Sequence, residues 1–347
     1  MKRLLAAIAA VSLAAICLTG CAQGAGSSST SASKGSPSGS SVGGSDRISI
    51  VTTIFPEYDW VMQILGANAS SADITLLLDS GADLHSYQPS AADIAKISTC
   101  DVFVYVGGES DKWVKDVLAQ AENKDMVAVN LMEVFGDKAL KEEVVEGMEA
   151  EHDHDATEEG HDHEHSEEAE FDEHVWLSPK NAKTLVSAIA DALAKADPQN
   201  ASVYATNMEA YGAELAKLDD DYRATVAAGA RNTLLFADRF PFRYLTEDYK
   251  LNYYAAFVGC SAETEASFET VLFLANKVDE LKLPVILTIE NSDGKIAETV
   301  RQNTAAKDAE VLVMDSMQST ASSDIAKGTT YLSIMRNNLD VLARALA

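Results

Sequence analysis

The sequence predicts an α/β protein of two lobes, each a mostly parallel sheet flanked by helices, joined by a long backbone helix. Three observations lead there. Short β-rich runs alternate with helical patterns from residue 47 onward, the same grammar resumes after residue 231, and a largely helical stretch rich in Ala, Leu, Lys, Asp and Glu separates them.

In the first half, 48–53 reads as a strand, 57–65 as a helix closed by Gly66, and 74–78 as a second strand. Ser90 is placed to cap a helix through Ile97, with Asp93 completing a capping box. Residues 102–106 are almost continuously apolar, as expected of a parallel strand buried on both faces. A Gly-Gly turn follows, then a helix over 113–121 and a strand over 127–129. The central stretch, 178–227, is helical and interrupted at Pro198; it reads either as a rigid connector between lobes or as two packed core helices. Strands are expected in the second half at 233–236, 253–257, 285–289 and 311–314, with helices over 268–281, 294–304 and 330–346.

The chain has 347 residues, with 54 acidic and 27 basic side chains, seven histidines and a formal charge of -27. Such a surface repels a polyanion, so nucleic acid is excluded as a partner. The length suits two domains at roughly 150 residues each, and the 47% hydrophobic content excludes disorder throughout.

The N-terminus has the form of a secretory signal over residues 1–20: Lys2 and Arg3 precede an apolar run, 4–18, that is short for a membrane span. It ends in Leu18-Thr19-Gly20-Cys21, which resembles a bacterial lipobox. That resemblance implies that Cys21 becomes the lipid-modified first residue of an extracytoplasmic protein anchored to the cell membrane. Residues 21–46 are then a tether, almost wholly Ser, Gly, Ala and Thr, with a reach on the order of 25 Å. The remaining body divides into an N-terminal lobe, 47–177, a linking helical segment, 178–228, and a C-terminal lobe, 229–347. Cys17 and Cys21 lie in the leader and at the lipid site, leaving Cys100 and Cys260, for which a disulfide and two unpaired thiols are both open.

Two histidines stand alone, each where a loop gives way to a helix: His85 in Gly81-Ala82-Asp83-Leu84-His85-Ser86-Tyr87-Gln88-Pro89-Ser90, and His174 in Glu173-His174-Val175-Trp176-Leu177-Ser178-Pro179. Loops beyond the carboxyl ends of parallel strands are the usual ligand site of an α/β sheet, and two histidines in matching contexts point to a metal pair. The other five, His152, His154, His161, His163 and His165, fall within the acidic segment 142–173, which holds 16 Asp and Glu and no Lys or Arg. Charge repulsion predicts a surface loop there, and its His-x-His spacings suit an auxiliary metal-collecting role.

Together the two histidine motifs, the His- and acid-rich loop and the lipobox resemble the zinc and manganese substrate-binding lipoproteins of ABC transporters, over essentially the whole body. The resemblance implies one metal in a cleft between two lobes. His85 and His174 would come from the first lobe, a His or Glu ahead of an aromatic-x-Tyr segment from the second, and an Asp after a late strand, matched by Asp315. The third position departs from that pattern. A gapless match puts Arg239 of Asp238-Arg239-Phe240-Pro241-Phe242-Arg243-Tyr244 there, and a guanidinium has no lone pair to give. The expected ligands are therefore His85, His174, Asp238 and Asp315, with Arg239 pairing a carboxylate or shaping the cleft; Cys260 as thiolate, or a water closing a three-ligand site, are the alternatives.

Mixed imidazole and carboxylate ligands would suit manganese, whereas the Irving-Williams order favours zinc, and the resemblance implies zinc too, since manganese-selective members of the family generally lack a histidine loop. Zinc is the expected cargo and manganese the alternative. The resemblance further implies a monomer that delivers the ion to an ABC permease and its ATPase, without catalysis. A surface adhesin and a zinc-dependent surface hydrolase are the rival readings. The hydrolase lacks an H-E-x-x-H motif, and only Glu109 or Glu290 could be nominated as its base.

Overall fold

A computed structural model describes residues 47–149, 170–261 and 265–347. The leader, Cys21 and its tether, and His152, His154, His161, His163 and His165 lie outside the described residues.

The first half runs β1 (Ser49–Thr52), α1 (Phe55–Leu65), β2 (Asp73–Leu76), α2 (Ala91–Thr99), β3 (Val102–Tyr105), α3 (Val114–Gln120), β4 (Val127–Asn130) and α4 (Leu131–Phe135). Its strands form a parallel sheet in the order β2-β1-β3-β4. β3, the apolar run, is buried at every residue. α1 starts two residues earlier than its apolar period suggests, because the Glu57 carboxylate accepts hydrogen bonds from the backbone of Thr53 (2.8 Å) and Ile54 (3.2 Å), fixing the first turn around Pro56. The Ser90-Asp93 capping box forms as expected at α2.

The central stretch is two helices, α5 (Pro179–Ala196) and α6 (Ala201–Ala228), broken around Pro198. The second half follows as β5 (Thr233–Phe240), α7 (Arg243–Tyr249), β6 (Asn252–Val258), α8 (Phe268–Leu281), β7 (Val285–Thr288), α9 (Lys295–Asn303), β8 (Glu310–Val313), α10 (Ser322–Ile325) and α11 (Tyr331–Ala345). Its sheet is again parallel, in the order β6-β5-β7-β8. β5 extends beyond its expected end through a register shift between Phe236 and Arg239. Such a bulge bends a strand and re-aims the side chains that follow it.

α6 ties the halves together. Its 28 residues span about 42 Å. Near its start Asn207 donates to the Ile64 carbonyl of α1 (2.9 Å), and further along Tyr222 donates to the Met335 carbonyl of α11 (2.7 Å). A buried seam adds to this: Trp60 and Tyr331 pack edge to face at 5.2 Å, Trp176 Nε1 donates to the Ser316 carbonyl (2.9 Å), and the Tyr331 hydroxyl donates to the Trp176 carbonyl (2.7 Å). One apolar cluster therefore contains residues of both sheets. No helix among the described residues is long and apolar enough to cross a membrane.

Asp59 sits in this seam and accepts from the Tyr331 backbone N–H (3.1 Å). Burial raises its pKa from 3.8 to about 6, against the opposing hydrogen bonds from Gln63, Tyr331 and Tyr211. The folded state therefore holds this proton more tightly than the unfolded chain, so its contribution to stability is full below about pH 4 and is lost as pH rises toward 6. At 1.36 kcal/mol per pKa unit, the penalty at neutral pH approaches about 3 kcal/mol. Asp59→Asn, which keeps an acceptor for Tyr331, should gain stability over wild type in urea melts at pH 8 and lose that advantage at pH 4. Equal stability at pH 8 would rule out a charged Asp59 as a cost of the fold.

Candidate metal centre

The carboxyl ends of both sheets converge on one place. His85 leaves the loop after β2 in a 3-10 turn, Leu84–Ser86, whose N-terminus is capped by the Asp83 carboxylate accepting from the His85 backbone (3.0 Å). His174 precedes the 3-10 turn Val175–Leu177, is fully buried, and leans against Trp176 with ring centroids 5.2 Å apart. Cys260 lies two residues past the end of β6, after Gly259. Gly259 is what lets this turn approach: a Cβ there would lie 2.9 Å from the Phe240 carbonyl and 3.0 Å from the His174 ring.

The two imidazoles face each other with Nε2 atoms 3.2 Å apart. Two nitrogens bound at 2.0–2.1 Å to one tetrahedral zinc are separated by about 3.3 Å, so this spacing suits a shared cation. The remaining nitrogens are held from behind. His174 Nδ1 lies 3.0 Å from Asp172 Oδ1, which also accepts the His174 backbone N–H, and His85 Nδ1 lies 2.8 Å from the Ser110 hydroxyl. A carboxylate behind a ligating histidine fixes its tautomer and leaves Nε2 for a metal. Among the described residues, His85, His174 and Cys260 form a group whose ligand atoms all lie within 4.8 Å of one another. Gln318 adds an amide oxygen 3.2 Å from His174 Nε2 and is itself held by its amide nitrogen donating to Ser316 Oγ (2.9 Å).

Electrostatics separate the two histidines. Burial, with the neighbouring His174 next in size, pushes the pKa of His85 down to about 3. Burial opposes charge on His174 too, but Asp172 and Glu173 outweigh it and leave its pKa above the ordinary histidine value. Burial, then the nearby Glu142 carboxylate, pushes the Cys260 thiol upward.

Of the residues anticipated as ligands, the structure brings together His85 and His174. It does not bring Asp238 or Asp315 into their group. The carboxylate of Asp238 turns back onto the chain, accepting from the backbone of Arg239 (2.8 Å) and Ile289 (3.4 Å). Asp315 accepts from the Met317 backbone (2.8 Å), and burial and Glu290 raise its pKa to about 7. Cys260, an alternative at the sequence level, takes the position beside the imidazoles. It is a free thiol, as is Cys100, which is buried in the first lobe's core. Ser110, Asp172 and Gln318 escaped the sequence reading. Only Asp172 had a local signal, two residues before His174; the others arrive from distant loops.

The ends of the acidic segment are not loose surface either. Glu142 accepts the Cys260 backbone N–H (2.9 Å), Glu143 pairs with Arg243 (3.0 Å), the Glu149 backbone donates to the Ala256 carbonyl (2.9 Å), and Glu173 is buried. The carboxylates that repel one another along the chain find cations and backbone N–H groups on the second lobe, and that stitches residues 142–149 across the cleft.

The family model for the periplasmic zinc-uptake complex component A matches residues 50–345. The zinc-binding protein AdcA of Streptococcus pyogenes serotype M3 is 31% identical over 300 residues, 85% of this chain and 55% of that protein. The chain thus spans about half the length of that relative. The high-affinity zinc uptake system protein ZnuA of Bacillus subtilis is 32% identical over 311 residues, covering 90% of this chain and 91% of its own. Among solved structures, the Zn(II)-bound ZnuA-like domain of Streptococcus pneumoniae AdcA superposes with a TM-score of 0.67 at 28% identity, covering 86% of this chain and 99% of that one. The metal-dependent lipoprotein YcdH of Bacillus subtilis gives 0.69 at 27% identity, covering 87% and 100%. A match across nearly all of the folded body identifies the chain as a member of the periplasmic zinc-uptake complex component A family.

Proposed function

We propose that this protein is the extracytoplasmic substrate-binding lipoprotein of an ABC importer, that it captures zinc between His85, His174 and Cys260, and that it passes the ion to a membrane permease powered by an ATPase. The observation that carries the reading is the pair of imidazole Nε2 atoms 3.2 Å apart beside a thiol, at the carboxyl ends of two parallel sheets. Two imidazoles and one thiolate are borderline-to-soft donors, which favours zinc over the harder manganese; in this reading Cys260 stands where the sequence suggested the carboxylates of Asp238 and Asp315. Gln318, with its amide oxygen 3.2 Å from His174 Nε2, would offer a further oxygen donor. The relatives' zinc-binding and uptake names support the same cargo, and the lipobox at Cys21 supports a lipid anchor.

The hydrolase reading draws less support from the structure, where both nominated bases have other partners. Glu290 is occupied in pinning the turn after β8, accepting from the Ser316 backbone (2.7 Å), the Ser316 hydroxyl and the Gln318 backbone (3.0 Å). Glu109 forms an ion pair with Lys112.

Cobalt(II) substitution tests the ligand set. The wild-type protein should bind one cobalt in this site with a near-ultraviolet sulfur-to-metal charge-transfer band, and Cys260→Ser should abolish the band while weakening zinc binding about tenfold or more. A band that survives in Cys260→Ser, or is absent in wild type, would exclude the thiolate as a ligand.

A further inference from the structure

We infer that Arg239 is a positioning residue that clasps the two ligand-bearing turns of the centre together and thereby sets how fast zinc leaves; this rests on the reading of His85, His174 and Cys260 as the ligands. Arg239 lies just after the irregularity in β5, on the second sheet, with its side chain 15% exposed. Its Nη2 reaches across the cleft to Asp83 Oδ2 at 2.6 Å, and its Nη1 donates to the Ser261 carbonyl at 3.3 Å.

Those two acceptors are informative. The other oxygen of Asp83 accepts the His85 backbone N–H, so the carboxylate gripped by Arg239 is also the cap of the turn that carries His85. Ser261 is the residue after Cys260, on the other lobe. One guanidinium therefore fixes the spacing between an imidazole from one sheet and a thiol from the other. A planar fork with several fixed donors can hold both acceptors at once, whereas an ammonium is a single point charge on a flexible stem. The bulge in β5 supplies the aim: Phe236 pairs with Ala255 but Arg239 with Phe257, so one extra residue is accommodated just before Arg239. Arginine cannot ligate a metal, and what it supplies here is a tether from one lobe to the other.

The test is zinc release from the full chain into a chelator in excess, followed by stopped flow, for wild type, Arg239→Ala, Arg239→Lys and Asp83→Asn. Arg239→Ala should release zinc about 10- to 100-fold faster, the usual cost of losing a group that supports a metal ligand. Arg239→Lys should recover only part of the loss. Asp83→Asn should act in the same direction, and the double variant should release zinc no faster than the faster of the two single variants, because both changes cut one linkage. Release at the wild-type rate in Arg239→Ala, full recovery in Arg239→Lys, or fully additive effects in the double variant would each overturn the clasp. Cobalt spectra separate this from the ligand reading. No sulfur-to-metal band in wild type defeats the assignment of Cys260, whereas an intact band with unchanged release in Arg239→Ala defeats the clasp alone.

Discussion

Adding zinc to the wild-type protein should raise its melting temperature by several degrees, and His174→Ala should abolish that rise. A ligand that binds only the folded state stabilises it by about 4 kcal/mol when present at a thousand times its dissociation constant. His174 is the residue on which the centre depends most. It is fully buried, its Nδ1 is fixed by Asp172, and its Nε2 faces both His85 and Gln318. Removing it leaves Asp172 buried without its ring partner and takes away one of two imidazoles. The measurement is calorimetry with and without zinc on both proteins. A His174→Ala variant that keeps the full zinc-dependent shift would place the metal elsewhere.

The second large effect concerns stability in the absence of metal. Trp176→Ala should cost about 3–5 kcal/mol, the range for deleting a large aromatic from a packed interior. Trp176 is fully buried in the seam between the halves. Its indole N–H is satisfied by the Ser316 carbonyl at 2.9 Å, its backbone carbonyl takes the Tyr331 hydroxyl, and its ring supports His174. The loss should therefore appear twice, as a lower urea midpoint and as weaker zinc binding in the fraction that remains folded. A midpoint within experimental error of wild type would mean that the seam carries little of the stability. The seam, the 28-residue α6 and the strap 142–149 all cross from one sheet's elements to the other's. Wide hinge opening would disrupt the contacts that cross between the halves, so the packing favours small movements of the turns that carry His85, His174 and Cys260. That is the setting in which a tether such as Arg239 to Asp83 matters.

The α/β class, the two repeats of strand and helix, and the positions of His85 and His174 were all legible in the sequence. Their causes are local: β3 is apolar throughout because both its faces are covered, Ser90 and Asp93 close a capping box within three residues, His85 lies in the loop after β2, and His174 precedes the short turn that leads into α5. The residue that stands beside the two imidazoles, Cys260, was legible only as an alternative. Sequence neighbourhood suggested Asp238, since it adjoins the matching position, yet its carboxylate is spent on the backbone N–H groups of Arg239 and Ile289. Which side chain after β5 or β6 faces the imidazoles depends on a bulge in β5 and on a glycine at 259 that admits the Cys260 turn to within contact of His174. The ends of the acidic segment show the same division. Composition determined that residues 142–173 repel one another and seek cations, but only the packed second lobe decided that Glu142 would hold the Cys260 backbone. Periodicity and capping are set by neighbours a few residues apart, whereas the group of His85, His174 and Cys260 is assembled from segments up to 175 positions distant, as Cys260 is from His85, and their meeting is fixed by register, twist and close approach.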